Sequence, residues 1–345
     1  MVDTTRIQIA HGGGGQLTNE LIRDVILPSL GNASAQDFGG LTDAAVLNFA
    51  QGDGTLAFTT DSYVVQPLEF PGADIGKLAV CGTVNDLAVV GARPEALSLA
   101  LILEEGLQIA LLRRVLQSAG KAAALANVSI VTGDTKVVER GGVVGMVVNT
   151  AGIGRRAAGV NLGFKRIAEG DRIILSGPLG EHGMAVMSQR KGLSFRAELV
   201  SDCAALNPLT AMLMEHLGDA VRFMRDPTRG GLAATVVEIS EATRRDVELD
   251  EASIPVNRTA HAAAEMLGLD LMSVANEGKL VAVVAPEAAA EAVQLLRGHE
   301  LARQASIIGQ IGAAADDNPL VELCTSIGGR RIVQMPYGEE LPRIC

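Results

Sequence analysis

The sequence has no tryptophan and only two tyrosines, and aromatic residues make up 3% of its 345 positions. Stacking platforms for single-stranded nucleic acid need more than that. Positive charge is also short: 29 Lys and Arg face 40 Asp and Glu, a net charge of -11, and with it no nucleic-acid partner is expected. No apolar run approaches the roughly eighteen residues of a membrane span. The most apolar stretch, Leu87 to Leu103, is interrupted by Arg93, Pro94 and Glu95, so no membrane association is expected either. Met1 to Ala10 carries charge without an apolar core, unlike a secretory signal, and the expected location is the cytoplasm. Four cysteines, Cys81, Cys203, Cys324 and Cys345, lie far apart with no C-x-x-C pair. That spacing suits reduced thiols better than a disulfide framework or a structural zinc site.

What is present is length, glycine and aspartate. A chain of 345 residues exceeds one ordinary core and implies two domains. With 48% hydrophobic residues, 20% charged and 39 glycines, it reads as α/β or α+β with many tight turns. A composition shift at Gly154 to Asn161 places the junction, giving domains at 1–158 and 159–330. Residues 331–345 then form a tail whose last ten residues hold two prolines and a glycine, a poor match to helix or central strand. This tail ends on Cys345. Cysteine is among the most buried side chains, so a thiol on a mobile end points to reactivity. About fifteen residues at roughly 3.3 Å each would let it reach on the order of 50 Å.

The rest of the chain supplies a site for that thiol to visit. His11 precedes the run Gly12, Gly13, Gly14 and Gly15, a loop with uncovered N–H groups suited to closing over phosphates ahead of a helix. Short apolar runs then alternate with acids: Asp43 before Ala44 to Phe49, Asp61 after Leu56 to Thr60, Asn85 and Asp86 in a helical segment, Asp134 after Ile130 to Gly133. One aspartate at an element end is a cap or a turn. Four of them with few basic neighbours point to Mg²⁺ held jointly by protein and polyphosphate. Lys136, two residues beyond Asp134, is a phosphate partner, with a solvated surface lysine as the competing reading. Two amphipathic helices are expected, at Ile75 to Val90 and on the stripe Ile109, Leu112, Leu116, Ala119 and Ala123, the second packing on a sheet. In the second half, Asp226-Pro227-Thr228-Arg229-Gly230-Gly231 reads as a polar turn into a helix N-terminus, another anion-friendly geometry. Asn276-Glu277-Gly278 precedes a strand.

Taken together, the His11–Gly15 run, Thr60-Asp61-Ser62, Gly82 to Ala88, Gly133-Asp134-Thr135-Lys136, Asp226 to Gly231, Asn276-Glu277-Gly278 and the terminal Pro342-Arg343-Ile344-Cys345 resemble the HypE family of hydrogenase maturation proteins. That family lies within the ATP-using superfamily of aminoimidazole ribonucleotide synthetase and selenophosphate synthetase. The resemblance covers essentially the whole chain, and the Pro-Arg-Ile-Cys end is its most specific part. It implies a two-domain PurM-like fold, α/β then α+β, in which the N-terminal sheet pairs with that of a second subunit and ATP binds near the interface. By motif it implies that Asp43, Asp61, Asp86, Asp134 and Asp226 hold Mg²⁺ and phosphates, that Gly12 to Gly15, Asn85 and Arg229 line the nucleotide site, and that Lys136 contacts phosphate. Thr42-Asp43 stands where many relatives carry two adjacent acids. The implied chemistry is an ATP-dependent dehydration. A carbamoyltransferase, HypF, loads Cys345 with an S-carboxamide, Glu277 or else His11 serves as base, and the resulting thiocyanate passes cyanide to a HypC–HypD complex. Selenophosphate synthetase is disfavoured because its reactive cysteine lies in the N-terminal glycine loop, and no cysteine precedes Cys81. A non-catalytic ATP-gated scaffold with Cys345 as a metal ligand is the rival from another class, and a lone thiol makes a poor metal site.

Overall fold

The computed structural model describes residues 15–21, 23–24, 45–48, 54–193, 195, 198–315, 317–338 and 344–345. His11, Gly12, Gly13, Gly14, Asp43 and Arg343 lie outside the described residues. The first sheet is built from β1 (Ala45–Asn48), β2 (Gly54–Tyr63), β5 (Ala92–Glu104), β6 (Ser129–Val138) and β7 (Met146–Ala157), in the order β1-β2-β7-β5-β6. A small ribbon of β3 (Glu69–Phe70) and β4 (Ala73–Asp74) stands apart from it. Only β5 and β6 pair in parallel, and the helix Ile109–Leu125 between them supplies the crossover that a parallel pair requires.

Alternation along β2 and β7 puts Ala57, Thr59, Tyr63, Met146, Val148 and Thr150 on one face, where each is buried. Against that face lies the helix Ile75–Val89, started by Asp74, whose carboxylate accepts the Gly76 and Lys77 N–H groups at 2.8 and 3.0 Å. The helix stands where it was expected, but it is not amphipathic. Nearly all its residues are buried, because the sheet covers one side and the helix Ile109–Leu125 covers another. That second helix packs chiefly on this one and also touches β6 of the sheet. Its buried stripe is Val115, Ala119, Ala122 and Ala123, and Ile109 is left exposed.

The second sheet contains β8 (Arg172–Leu175), β9 (Val221–Arg225), β10 (Arg245–Asp250), β11 (Val281–Val284), β12 (Ser306–Ala314), β13 (Val321–Cys324) and β14 (Arg330–Ile332), in the order β14-β13-β10-β12-β8-β11-β9. Every residue of β11 is buried, as a central strand covered on both faces must be. Helices Asn207–Leu217 and Ala289–Arg297 pack on one face and Gly231–Thr243 on the other. The last strand carries the chain to Ile332, two residues into the stretch read from sequence as tail.

Candidate active site

The alternation that buries Thr59 and Tyr63 also turns Asp61 to the inner side, at the end of β2. Thr59 Oγ1 donates to Asp86 Oδ2 at 2.8 Å, which brings the helix acid to the strand. Asn85, one residue earlier, is fully buried, and its amide is committed elsewhere. Its Oδ1 accepts the Leu206 N–H at 2.7 Å while its Nδ2 donates to the Ala204 carbonyl at 3.1 Å and, longer, to that of Glu277 at 3.5 Å. Asn85 therefore ties the first sheet's helix to two loops of the second half and holds the floor of the cleft.

Those loops are fixed by close backbone approach. Gly230 and Gly231 both take left-handed φ, 78° and 63°, and a Cβ on Gly231 would lie 2.5 Å from the Met272 carbonyl oxygen. Only glycine turns the chain here without strain. The turn presents buried Asp226 and half-exposed Arg229, whose Nη2 lies 3.9 Å from Asp61 Oδ1. Buried Asn276 clamps the neighbouring loops, accepting the Gly180 N–H at 2.8 Å and donating to the carbonyls of Pro227 and Val274 at 3.1 and 2.9 Å. It thereby sets Glu277. This carboxyl is buried, and its Oε1 has no hydrogen-bond partner among the described residues. Burial pushes it well above the ordinary carboxylate range, Asp226, Asp202 and Asp61 add to the rise, and Arg229 opposes it.

The end of the chain lies in this cleft. Ile344 is buried, and its carbonyl lies 2.9 Å from His182 Nε2. The Val64 N–H donates to the terminal carboxylate of Cys345 at 3.3 Å. Arg229 has its pKa raised chiefly by the charge of Cys345, and also by Asp61 and Glu277. Arg229 thus feels the charges of Cys345, Asp61 and Glu277 together, and Asp226 and Asp61 in turn act on Glu277. At the other end of the tail, the Gln16 and Leu17 N–H groups donate to the carbonyls of Pro336 and Tyr337 at 2.9 and 3.4 Å, and Gly15 is so close that a Cβ would collide with Pro336. The glycine run thus ends against the tail.

Asp134 and Lys136 are placed differently. The sequence puts Asp134 at a strand end, but β6 runs through both residues, and the register fixes their side of the sheet. Asp61 pairs with Thr150, Thr150 with Leu99, and Leu99 with Gly133. Asp134 accordingly shares its side with Ala100, Asn149 and Ser62, the outer face. It lies three strand spacings, about 14 Å, from β2. Lys136 is exposed beside it at 3.4 Å. Phe58, Ile102 and Ile153 stand exposed on the same outer face.

Among the described residues no group of three or more His, Cys, Asp or Glu side chains is set to hold a metal unaided. The inner donors are nonetheless all hard oxygens, and the combined push of three acids on Glu277 against a single arginine is an excess of negative charge that suits Mg²⁺ completed by phosphate oxygens.

Several residues of the cleft carry no motif in the sequence. Tyr63, fully buried, is held neutral by burial and by Asp61, Asp86 and Glu277. Lys279 is buried with Glu181 at 2.9 Å and Asp202 at 3.3 Å, and Asp202 accepts the Glu277 N–H at 3.2 Å. Behind this wall a cavity of about 620 Å³ is lined by Lys77, Cys81, Cys203 and Lys279. The one usable signal was Gly278, whose Cβ would collide with the Asp202 carbonyl.

Residues 41–156 match the AIR synthase related protein, N-terminal domain, and residues 168–321 the AIR synthase related protein, C-terminal domain. The chain is 47% identical over 342 residues to Carbamoyl dehydratase HypE of Bradyrhizobium diazoefficiens, covering 98% of this chain and 96% of that protein. Among solved structures it resembles a HypE–HypF complex, with TM-score 0.83, 42% identity and coverage of 92% of this chain and 99% of that one. It also resembles HypE in complex with ATP, with TM-score 0.81, 42% identity and coverage of 97% and 98%.

Proposed function

The chain belongs to the HypE family of carbamoyl dehydratases, and on that premise we propose that its own Cys345 is the group on which the chemistry is done. The protein is an ATP-dependent carbamoyl dehydratase of hydrogenase maturation. It converts an S-carboxamide on Cys345 into a thiocyanate, the source of the cyanide ligand of a NiFe-hydrogenase iron centre. One observation carries the assignment: the chain end sits in the acidic cleft, held by His182 and Val64 and close enough for the charge of Cys345 to act on Arg229.

In the loaded chain the amide oxygen takes the terminal phosphoryl group of ATP, which turns a poor leaving group into a good one. The C–O bond then breaks with its electron pair leaving on phosphate, and the nitrogen loses both protons. Carboxamide and ATP become thiocyanate, ADP, phosphate and one proton. Glu277 is the base, because its Oε1 lacks a hydrogen-bond partner among the described residues and its raised pKa makes its carboxylate a stronger proton acceptor than an ordinary one, and His11 is the second candidate. Arg229 neutralises charge on the transferring group from within the cleft. Gly12 to Gly15 cover the phosphates. Asp61, Asp86 and Asp226, with Asp43, would hold Mg²⁺, which would screen the phosphate charge.

Asp134 and Lys136 face away from this cleft within one chain, so they serve the site of a second copy. The outer sheet face with Phe58, Ile102 and Ile153 is the dimer surface, and Asp134 and Lys136 cross it to reach the partner's nucleotide. The carbamoyl donor is the carbamoyltransferase HypF, named with HypE in the similar complex, and the cyanide acceptor is a HypC–HypD complex in the cytoplasm.

The test is intact mass spectrometry with the carbamoyltransferase, carbamoyl phosphate and Mg-ATP. A gain of about 43 Da at Cys345 that falls to about 25 Da on ATP hydrolysis is the expected signature of a carboxamide losing water. ATP consumption with Cys345 unmodified throughout would overturn the proposal.

A further inference from the structure

We infer that His182 is a positioning residue, a latch that holds the chain end in the cleft so that Cys345 reaches the chemistry. This rests on the reading of Cys345 as the reacting group, although the latch itself is a matter of binding. His182 occupies the first turn of the helix Glu181–Lys191 and is fully buried. A buried imidazole with polar partners on both nitrogens is either core filling or part of a built contact, and the partners decide between them. Its Nε2 lies 2.9 Å from the Ile344 carbonyl oxygen, which can only accept, so Nε2 carries the proton. Its Nδ1 therefore accepts from Ser201 Oγ at 2.8 Å, and that hydroxyl in turn accepts the Cys203 N–H at 3.1 Å. Each member has one consistent donor and acceptor role, so Ser201 sets the tautomer that the latch needs. Phe70 meets the ring edge-on, with centroids 5.4 Å apart and planes at 83°, which fixes its tilt.

The placement is specific to docking. The Ile344 peptide is the last before the reactive thiol, and on the far side of Cys345 the Val64 N–H donates to its terminal carboxylate at 3.3 Å. These two main-chain contacts flank the Cys345 Cα and hold the thiol-bearing residue at the cleft that contains Arg229. Ser201 belongs to the loop whose next residue, Asp202, binds the Glu277 N–H, so base and latch share one support. A neutral hydrogen bond of this kind shifts an equilibrium about three- to tenfold.

The experiment compares the full-length protein with His182→Ala, His182→Gln and Ser201→Ala. It measures the iodoacetamide labelling rate of Cys345, mapped by peptide, and single-turnover dehydration of chains already carbamoylated, with ATP binding as the check on folding. Expected for His182→Ala is labelling about three- to tenfold faster and dehydration slower by a similar factor. His182→Gln, which can still donate to the Ile344 carbonyl, restores part of both, and Ser201→Ala shifts both more weakly in the same direction. If His182→Ala fails to bind ATP, the other two variants carry the comparison. Labelling and dehydration both unchanged in folded variants would overturn the latch. Faster labelling in variants of a protein whose wild type never dehydrates Cys345 would leave the latch standing and sink the proposed chemistry instead.

Discussion

Glu277 concentrates the electrostatics of the cleft in one carboxyl. Its pKa is raised by burial and by Asp226, Asp202 and Asp61, so the ionised, proton-accepting form gains population as pH rises. Dehydration should accelerate with pH until Glu277 is fully ionised. Glu277→Gln should lose about two to four orders of magnitude in single-turnover rate together with that pH limb while still binding ATP. A retained limb in the variant would assign it to another group. Cys345→Ala should abolish dehydration and leave nucleotide binding, measured by calorimetry, intact. Gly278→Ala should lower stability by about 1–3 kcal/mol in urea titration, because the new methyl meets the Asp202 backbone rather than a side chain that can rotate away. At this scale the sequence shows the acids and the terminal thiol clearly, because carboxylates, glycines and a terminal cysteine carry local signals. It does not show Tyr63, His182, Ser201 or Lys279. Each matters through a partner more than fifteen residues away, and nothing in its own neighbourhood marks it.

Strand β6 illustrates what an element adds to its residues. An apolar run followed by Asp reads the same whether the strand stops there or continues, so the sequence placed Asp134 at an end where the structure carries the strand on to Val138. Pairing, not composition, decides which face a side chain takes, and pairing is a long-range property. Burial of the helix Ile75–Val89 was likewise illegible, since its coverage comes from elements on either side of it in the chain. The outer face of the first sheet bears its own prediction. Ile102→Glu places a charge on the proposed dimer surface without touching the inner core, so light scattering should report monomers and ATP turnover should fall with dimer content. A stable dimer with that substitution would remove this face from consideration.

Over the whole molecule, docking of the tail joins the two halves to the chain end, and it carries a pH dependence of its own. Burial lowers the pKa of His182 below its ordinary 6.5, against smaller upward effects of Asp202 and the Ile344 carbonyl. An exposed His182 takes a proton at a pH where the latched ring still refuses it. Stability from the buried neutral ring is thus present above about pH 6.5 and is lost as pH falls through the lower folded value. Thermal unfolding midpoints should drop over that window, and the drop should shrink in His182→Gln. The division of Asp61 and Lys136 between the two faces of one sheet has a consequence for heredity as well as for chemistry. In a dimer whose sites each draw on both chains, a Lys136→Ala subunit and a Cys345→Ala subunit, each inactive alone, restore one complete site when mixed. Co-expressed defective alleles should then complement each other within the same gene, whereas a site made of one chain would leave the mixture as dead as its parts.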